Sequence, residues 1–189
     1  MPETQAKSSK KPDPLVKDAL DRVVGQAVAS GPAEAYLCTI RLPSMFADDQ
    51  KTANTIYTNT MRDYCKGVRR MPGGATPRYV AVASETKTEQ EVFPLYKFCL
   101  VAKQGLGLDS ADAVEHGRVI ANSKAGDFGF GHGQLDLLTL FRQRPIVTVS
   151  SPIAVTAGNQ SAVKERLRAH LQGKSTTDGR SRYRTLFAS

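Results

Sequence analysis

Apolar residues recur at helical spacing near the start of the chain and alternate with polar residues soon afterwards. Positions 15–29 carry an apolar stripe typical of an amphipathic helix, which we expect to end at the glycine and proline that follow. Ala35 to Leu42 alternates and is rich in strand-forming residues, so it predicts the first strand. A second helix is predicted from about Ala47 to Lys66, with Asp48 or Asp49 as its N-terminal cap.

The middle of the chain predicts two more strands and a short helix. We expect strands at Pro77 to Ser84 and at Tyr96 to Ala102, joined by a polar connector. A small glycine loop follows the second of these strands, and a helix from about Ala111 to His116 comes next. Val119 to Ala121 is then expected to form a short strand that leads into the most glycine-rich stretch of the chain.

This glycine-rich stretch is Gly126 to Gln134, in which four glycines fall within eight residues. Glycine has no Cβ atom, so the backbone there can turn sharply and bring its N–H groups close to a ligand. An apolar run of helical length, Leu135 to Arg142, and a β-branched strand, Ile146 to Val149, follow. Because the first N–H groups of a helix carry partial positive charge, this order predicts an anion site, with a plain surface turn as the alternative.

The C-terminal part of the chain predicts one more helix and a basic tail. After an irregular stretch at 150–160, Ser161 to Leu171 has an apolar stripe at helical spacing. With no internal repeat and no second core, the pattern predicts a single α+β domain. The domain is expected at residues 15–172, between a flexible basic tail at 1–14 and a basic tail at 173–189.

The charge of the chain favours a polyanionic partner. The 189 residues carry a net charge of +8, and the pI is about 9.5. Arg180, Arg182 and Arg184 alternate with a serine and a tyrosine, which suits a phosphate backbone and base stacking, although a solvated tail fits the same pattern. Lys97 and Lys103, at the predicted third strand, are further candidates for contact with the DNA backbone.

Cysteine usage and the chain start bear on the compartment. The chain has three cysteines without CxxC spacing, so we expect reduced and mostly buried thiols rather than a disulfide framework or a zinc knuckle. The polar, lysine-rich start lacks the apolar segment of a secretory signal, and no stretch approaches the roughly eighteen apolar residues of a membrane span. These patterns predict a protein of the bacterial cytoplasm, with peripheral attachment to the inner membrane as an open alternative.

Candidate catalytic chemistry centres on the glycine-rich stretch. His132 lies between Gly131 and Gly133, so its side chain is a candidate to contact a phosphate oxygen or to transfer a proton. Asp127 and Asp136 flank the loop and are the candidate Mg²⁺ ligands, because phosphoryl-transfer sites hold the metal with one or two carboxylates. The chain has no GxSxG motif and no GxxxxGK[ST] motif, which excludes a nucleophile elbow and a P-loop.

The segment Phe128 to Ser150 resembles the phosphate-binding core of the ParB/sulfiredoxin superfamily. Within it, the chain is similar to the plasmid fertility inhibition factors, a group that includes oncogenic suppression proteins. The turn Gly131-His132-Gly133-Gln134, the helix after it and the strand Pro145 to Val149 carry the resemblance. Gln134 stands where the family usually has an arginine. The resemblance implies a small mixed sheet with packed helices and a nucleotide phosphate site formed by Gly129, Gly131, His132, Gly133 and Gln134.

The same resemblance implies a function. The implied protein is a plasmid-encoded factor that blocks DNA transfer through a type IV secretion system. The implied activity is binding or hydrolysis of ATP and cleavage of DNA, with Mg²⁺ as the metal. One alternative is a non-catalytic module that occupies DNA, a relaxase–DNA complex or a secretion coupling protein. Another is a degenerate relative of replication initiators, in which Tyr96-Lys97-Phe98 stands where an HxH metal motif is needed. A DNA-length assay separates a nuclease from a silent binding module.

Overall fold

The computed structural model describes residues 14–129, 144–172 and 186–188, which contain four α-helices, a short 3-10 helix at Ser44–Phe46 and six strands. The helices are α1 (Pro14–Ala29), α2 (Gln50–Arg70), α3 (Ala111–Gly129) and α4 (Gln160–Gln172). The strands are β1 (Ala33–Arg41), β2 (Arg78–Lys87), β3 (Val92–Lys103), β4 (Ile146–Val149), β5 (Ile153–Val155) and β6 (Leu186–Ala188). They form one small α+β domain, which confirms the fold class that the sequence predicts.

The described strands form one sheet in which every pairing is antiparallel. β3 lies between β1 and β2, β6 pairs with the outer edge of β2, and both β4 and β5 pair with the outer edge of β1. These pairings differ from the mixed sheet that the resemblance implies. β1 and β2 run in the same direction, but β3 separates them, so the helical connection between them creates no parallel neighbours.

A β-bulge interrupts one edge of the sheet. Between β4 and β5, Ser151 and Pro152 stand opposite Tyr36 alone. Ser150 keeps this edge attached to β1, because its N–H donates to the Leu37 carbonyl oxygen at 2.9 Å and its Oγ accepts from the Leu37 N–H at 3.0 Å. β5 itself lies within the stretch 150–160 that the sequence predicts to be irregular.

Helices cover both faces of the sheet, because side chains alternate between the two faces along each strand. α2 and α3 cover one face, and α1 and α4 cover the other. The first core includes Tyr36, Ile40, Tyr96, Phe98, Ile56, Tyr57 and Met61. The second core includes Ala35, Val80, Val101, Leu20, Val23, Val163 and Leu167.

The first two helices follow the predicted pattern. The stripe of α1 packs into the second core, except that Leu15 is 62% exposed at the helix start. In α2 the predicted cap is Asp49, whose Oδ1 accepts from the Thr52 N–H at 3.0 Å. α2 continues to Arg70 rather than ending at Lys66, because Val68 packs into the first core and extends the apolar stripe by one turn.

α3 differs most from the sequence expectation. The predicted short helix, the predicted strand Val119 to Ala121 and the start of the glycine-rich stretch all lie in this one helix, so the strand prediction is wrong and the loop begins no earlier than Gly129. Tertiary packing explains the difference. α3 packs against α2, and at Gly67 of α2 the two helices are so close that a Cβ atom would lie 3.2 Å from Nε2 of His116. This packing offsets the weak helix propensity of the glycines in α3.

Other elements are predicted in part. β4 has the predicted bounds, Ile146–Val149, whereas β2 and β3 extend through most of the polar connector that the sequence places between them. β6 lies within residues 173–189, the predicted basic tail, and pairs with β2. The predicted helix Leu135 to Arg142 lies outside the described residues. Among the helices that are described, none is both long and apolar enough to cross a membrane.

Candidate nucleic-acid interface

Most of the predicted phosphate site lies outside the described part of the chain. Its positions there are Gly131, His132, Gly133, Gln134 and Asp136, and their roles stay predictions. Gly129 is the last residue of α3. Asp127 lies in the last turn of α3 with its side chain 64% exposed, and its carboxylate is 4.0 Å from the ammonium of Lys124.

Of the two predicted Mg²⁺ ligands, the described part of the chain therefore includes Asp127 alone. In residues 14–129, 144–172 and 186–188, no three His, Cys, Asp or Glu side chains converge in a way that could hold a metal ion. Asp127 alone does not define a metal geometry, since Mg²⁺ takes near-octahedral oxygen ligands. The roles of Mg²⁺ and ATP stay predictions attached to the glycine-rich stretch.

The two lysines predicted to bind DNA lie at different places on β3. Six positions separate them, which is about 20 Å along a strand. Lys103 is exposed at the end of β3, where its Nζ donates to the Gly73 carbonyl oxygen at 3.2 Å. Lys97 is half-buried near the middle of the strand. The other predicted DNA-binding residues, Arg180, Arg182 and Arg184, lie outside the described residues.

Lys103 belongs to a basic cluster around the end of α2. The turn after α2 is closed by hydrogen bonds from Met71 N–H to the Val68 carbonyl and from Gly74 N–H to the Met71 carbonyl. This turn brings the last residues of α2 towards the ends of β2 and β3. The basic residues at this turn are Arg69 and Arg70, in the last turn of α2, and Lys103, which bonds to Gly73.

The exposed face of α2 is basic along its second half. The helix has five basic residues and one acidic residue, Asp63. Asp63 is engaged by several cations: its carboxylate lies 3.0 Å from Lys124 Nζ of α3, 3.3 Å from Arg62 Nε and 3.9 Å from Lys66 Nζ. The hydrogen bond from Lys124 is the main cause that lowers the pKa of Asp63. Since a lysine of α3 already balances this carboxylate, the basic residues of α2 keep an excess positive charge.

The first half of α2 carries uncharged polar side chains instead. An open cavity of about 710 Å³ runs along it, lined by Gln50, Lys51, Asn54, Thr55, Thr58 and Asn59. These six residues form two neighbouring stripes at a spacing of four positions, so they share one helix face. No carboxylate is among them.

The core fixes the orientation of one amide in this cavity. The Tyr96 hydroxyl of β3 donates to Asn54 Oδ1 at 2.8 Å, which leaves the Asn54 Nδ2 group with two N–H donors for a ligand. The hydroxyls of Thr55 and Thr58 donate to the carbonyl oxygens of Lys51 and Asn54, so their oxygens remain available as acceptors. The cavity therefore offers a polar ligand both hydrogen-bond donors and hydrogen-bond acceptors.

The sequence interpretation did not single out this cavity. Its signal is present in the sequence as two runs, Gln50-Asn54-Thr58 and Lys51-Thr55-Asn59, each repeating every four positions. Uncharged polar residues at this spacing usually indicate a solvated helix face. The fold shows that this face continues along the same helix into its basic second half.

Comparison of the chain with protein-family models, with curated proteins and with solved structures found no match. A proposal for the function therefore depends on the side chains of α2 and on the resemblance of Phe128 to Ser150.

Proposed function

We propose that this protein binds duplex DNA through the exposed face of α2. The observation that carries the proposal is the composition of that face: a polar cavity over the first half of the helix, a basic second half, and one carboxylate that Lys124 already engages. The helix has 21 residues and is about 31 Å long, and the major groove of B-DNA admits an α-helix.

The two halves of α2 have different tasks in this proposal. Lys66, Arg69 and Arg70 contact phosphates, which releases counterions and supplies most of the affinity. Gln50 and Asn54 donate to base edges, because amide groups pair with purine acceptors in the major groove. Phosphate contacts fix the position of the protein on the duplex, and base contacts give preference for one sequence over another.

The resemblance supplies the cellular role that we propose. The protein acts in the bacterial cytoplasm as a plasmid-encoded inhibitor that blocks DNA transfer through a type IV secretion system. Its target is the transferred DNA, alone or in complex with the relaxase or the coupling protein. In one form of this proposal the protein is an enzyme that cleaves the DNA in an ATP-linked reaction, with His132, Asp127 and Asp136 as catalytic or Mg²⁺-binding residues. In the other form it binds the DNA without cleaving it.

Fluorescence anisotropy with a labelled duplex tests the interface. The test variant replaces Lys66, Arg69 and Arg70 with alanine. The matched control replaces Lys17, Arg22 and Arg166 with alanine. It removes the same three positive charges, but from α1 and α4 on the other side of the sheet. We expect the test variant to bind more weakly and to lower the salt slope of log K by about one for each phosphate that it no longer neutralises, with little change in the control. An equal effect in both variants assigns binding to net charge and contradicts the proposal.

Two further measurements separate the forms of the proposal. Asn54→Ala is expected to weaken binding of a preferred duplex about tenfold while leaving the salt slope unchanged, as expected for a base contact. Incubation of the duplex with protein, ATP and Mg²⁺, followed by sizing, then detects cleavage. Shortened DNA with wild-type protein and intact DNA with Asp127→Asn supports the enzyme, whereas bound but intact DNA in both supports the silent inhibitor.

A further inference from the structure

Lys97 lies on the sheet face opposite α2 and is half-buried without a described counter-ion. It pairs with Thr39 of β1 on one side and with Val82 of β2 on the other. The second core includes Cys99 and Val101 of β3 but stops before Lys97. Burial lowers the pKa of Lys97, and in the part of the chain that is described no carboxylate pairs with its ammonium. A partly desolvated cation of this kind gains from a bound anion.

Hydroxyl groups continue the row of side chains from Lys97 to the sheet edge. Thr39 pairs with Thr148 of β4, and their Oγ1 atoms are 2.7 Å apart. One of the two hydroxyl protons makes this bond, so the other remains to donate to a ligand. On this face of the sheet, the strand positions from Lys97 towards the Arg41 end of β1 carry basic, hydroxyl-bearing or apolar side chains. None of these described strand positions carries a carboxylate.

His170 of α4 borders the same row. Its Nε2 lies 2.9 Å from the Cys38 carbonyl oxygen, so this nitrogen carries the proton and donates. Burial, opposed by this hydrogen bond, lowers the pKa of His170, and the charge of Lys97 lowers it further. Arg41 follows Thr39 on the same face and holds its guanidinium 4.6 Å from the centre of the Phe93 ring.

We propose that Lys97, Thr39 and Thr148 form a binding site for a phosphoryl group, with Arg41 and His170 at its border. The ligand is a nucleotide or a nucleic-acid strand, since both present the same phosphate oxygens. The ammonium supplies the charge and the hydroxyl supplies a directed donor. This site is independent of the DNA interface on α2, because the sheet lies between them.

Calorimetric titration of the full chain tests the site with three probes: inorganic phosphate, ATP without metal, and a single strand of about ten nucleotides. We expect at least one probe to bind, with affinity about tenfold or more weaker in Lys97→Met and retained in Lys97→Arg. The control is Lys87→Met, which removes an exposed lysine of β2 that pairs with Glu85. Binding of ATP alone identifies a nucleotide, binding of the strand alone identifies nucleic acid, and binding of phosphate as well supports the shared chemistry.

The titration of His170 by NMR locates the ligand. A bound phosphoryl group near Lys97 offsets the charge that lowers the pKa of His170, so saturation with the best probe raises this pKa in the wild type and leaves it unchanged in Lys97→Met. If Lys97→Met does not fold, Lys97→Gln and the double variant Thr39→Val with Thr148→Val take its place. Absence of binding by all three probes, or equal binding by wild type and charge-removed variants, overturns the proposal.

Discussion

The ring of Tyr57 stacks on the ring of Tyr96, with the centroids 4.4 Å apart and the planes 5° from parallel. Tyr57 belongs to α2 and Tyr96 to β3, so this contact joins the helix of the proposed interface to the central strand. The Tyr96 hydroxyl then donates to Asn54, which lines the polar cavity. Tyr96 therefore has two effects: its ring packs α2 against the sheet, and its hydroxyl orients the Asn54 amide on the surface of α2.

Replacement of Tyr96 separates these two effects. Tyr96→Phe keeps the stack and removes the hydrogen bond, so we expect the free energy of unfolding to fall by about 1 kcal/mol. The same variant weakens duplex binding, because the Asn54 amide is no longer held. Tyr96→Ala also removes the ring and costs about 3–5 kcal/mol. Urea unfolding and anisotropy measure the two effects.

Tyr36→Phe is the matched control for that pair. The Tyr36 hydroxyl donates to Glu34 Oε2 at 2.8 Å, so this variant also removes a hydrogen bond, but to a partner on β1 rather than to Asn54 of α2. It is expected to reduce stability by a similar amount with unchanged DNA binding. If Tyr96→Phe binds duplex as tightly as Tyr36→Phe does, the orientation of Asn54 has no part in binding.

The contact between Asp63 and Lys124 predicts a pH-dependent contribution to stability. The pKa of Asp63 is lower in the folded protein than its ordinary value of 3.8, so its pairing stabilises the fold above that value and is lost as the pH falls through the folded-state pKa. We expect Asp63→Asn to reduce the free energy of unfolding by about 0.5 kcal/mol at neutral pH. Urea unfolding should find this difference shrinking as the pH falls below 3.8. A difference that is constant with pH contradicts the ion pair.

Two glycines of the first half of the chain are expected to respond to alanine in opposite directions. A methyl group at Gly74 would overlap the Val68 carbonyl oxygen and lie 2.8 Å from the Met71 carbonyl oxygen, so Gly74→Ala forces the turn after α2 to move. We expect stability to fall by about 1–3 kcal/mol in thermal or urea unfolding. Gly25 lies inside α1 with open space around it, so Gly25→Ala should stabilise by about 0.5–1 kcal/mol. A gain at both positions contradicts the close turn.

The thiols are expected to be unreactive in the folded protein. Cys38, Cys65 and Cys99 are all buried, as the sequence predicts. Burial raises the pKa of Cys65 to about 11 from an ordinary 9.0, which lowers its thiolate fraction near neutral pH about 100-fold. A colorimetric thiol reagent should therefore react slowly with native protein and rapidly with all three cysteines after denaturation. Fast labelling of the native protein contradicts this burial.

Elements with a local signal were the predictable part of the fold. The stripe of α1, the cap of α2 at Asp49 and the β-branched run of β4 each depend on neighbouring residues, and each is confirmed. α3 was not predictable locally, since its glycines give it a weak local helix propensity and its packing against α2 offsets this weakness. β5 and β6 have three residues each and exist through their pairing with β1 and β2.

In the candidate site, too, the sequence predicts the local features and the fold adds the long-range ones. Lys97 and Lys103 were identifiable as cations on one strand, but the strand alone does not say that one is half-buried and the other lies beside the turn after α2. The cavity on α2 needed Tyr96, which is distant in sequence, to give Asn54 its orientation. Charge and spacing are visible in a sequence, whereas burial and long-range hydrogen bonds belong to the folded chain.

The bulge between β4 and β5 has a consequence for solubility. An exposed sheet edge with a long run of unpaired N–H and C=O groups is a template onto which another chain can add a strand. Here that edge consists of strands of four and three residues, and Pro152, which has no N–H to donate, stands in the gap between them. Because the edge is interrupted, a strand of a second molecule cannot form a continuous row of backbone hydrogen bonds along it. This edge of the sheet is therefore protected against edge-to-edge aggregation.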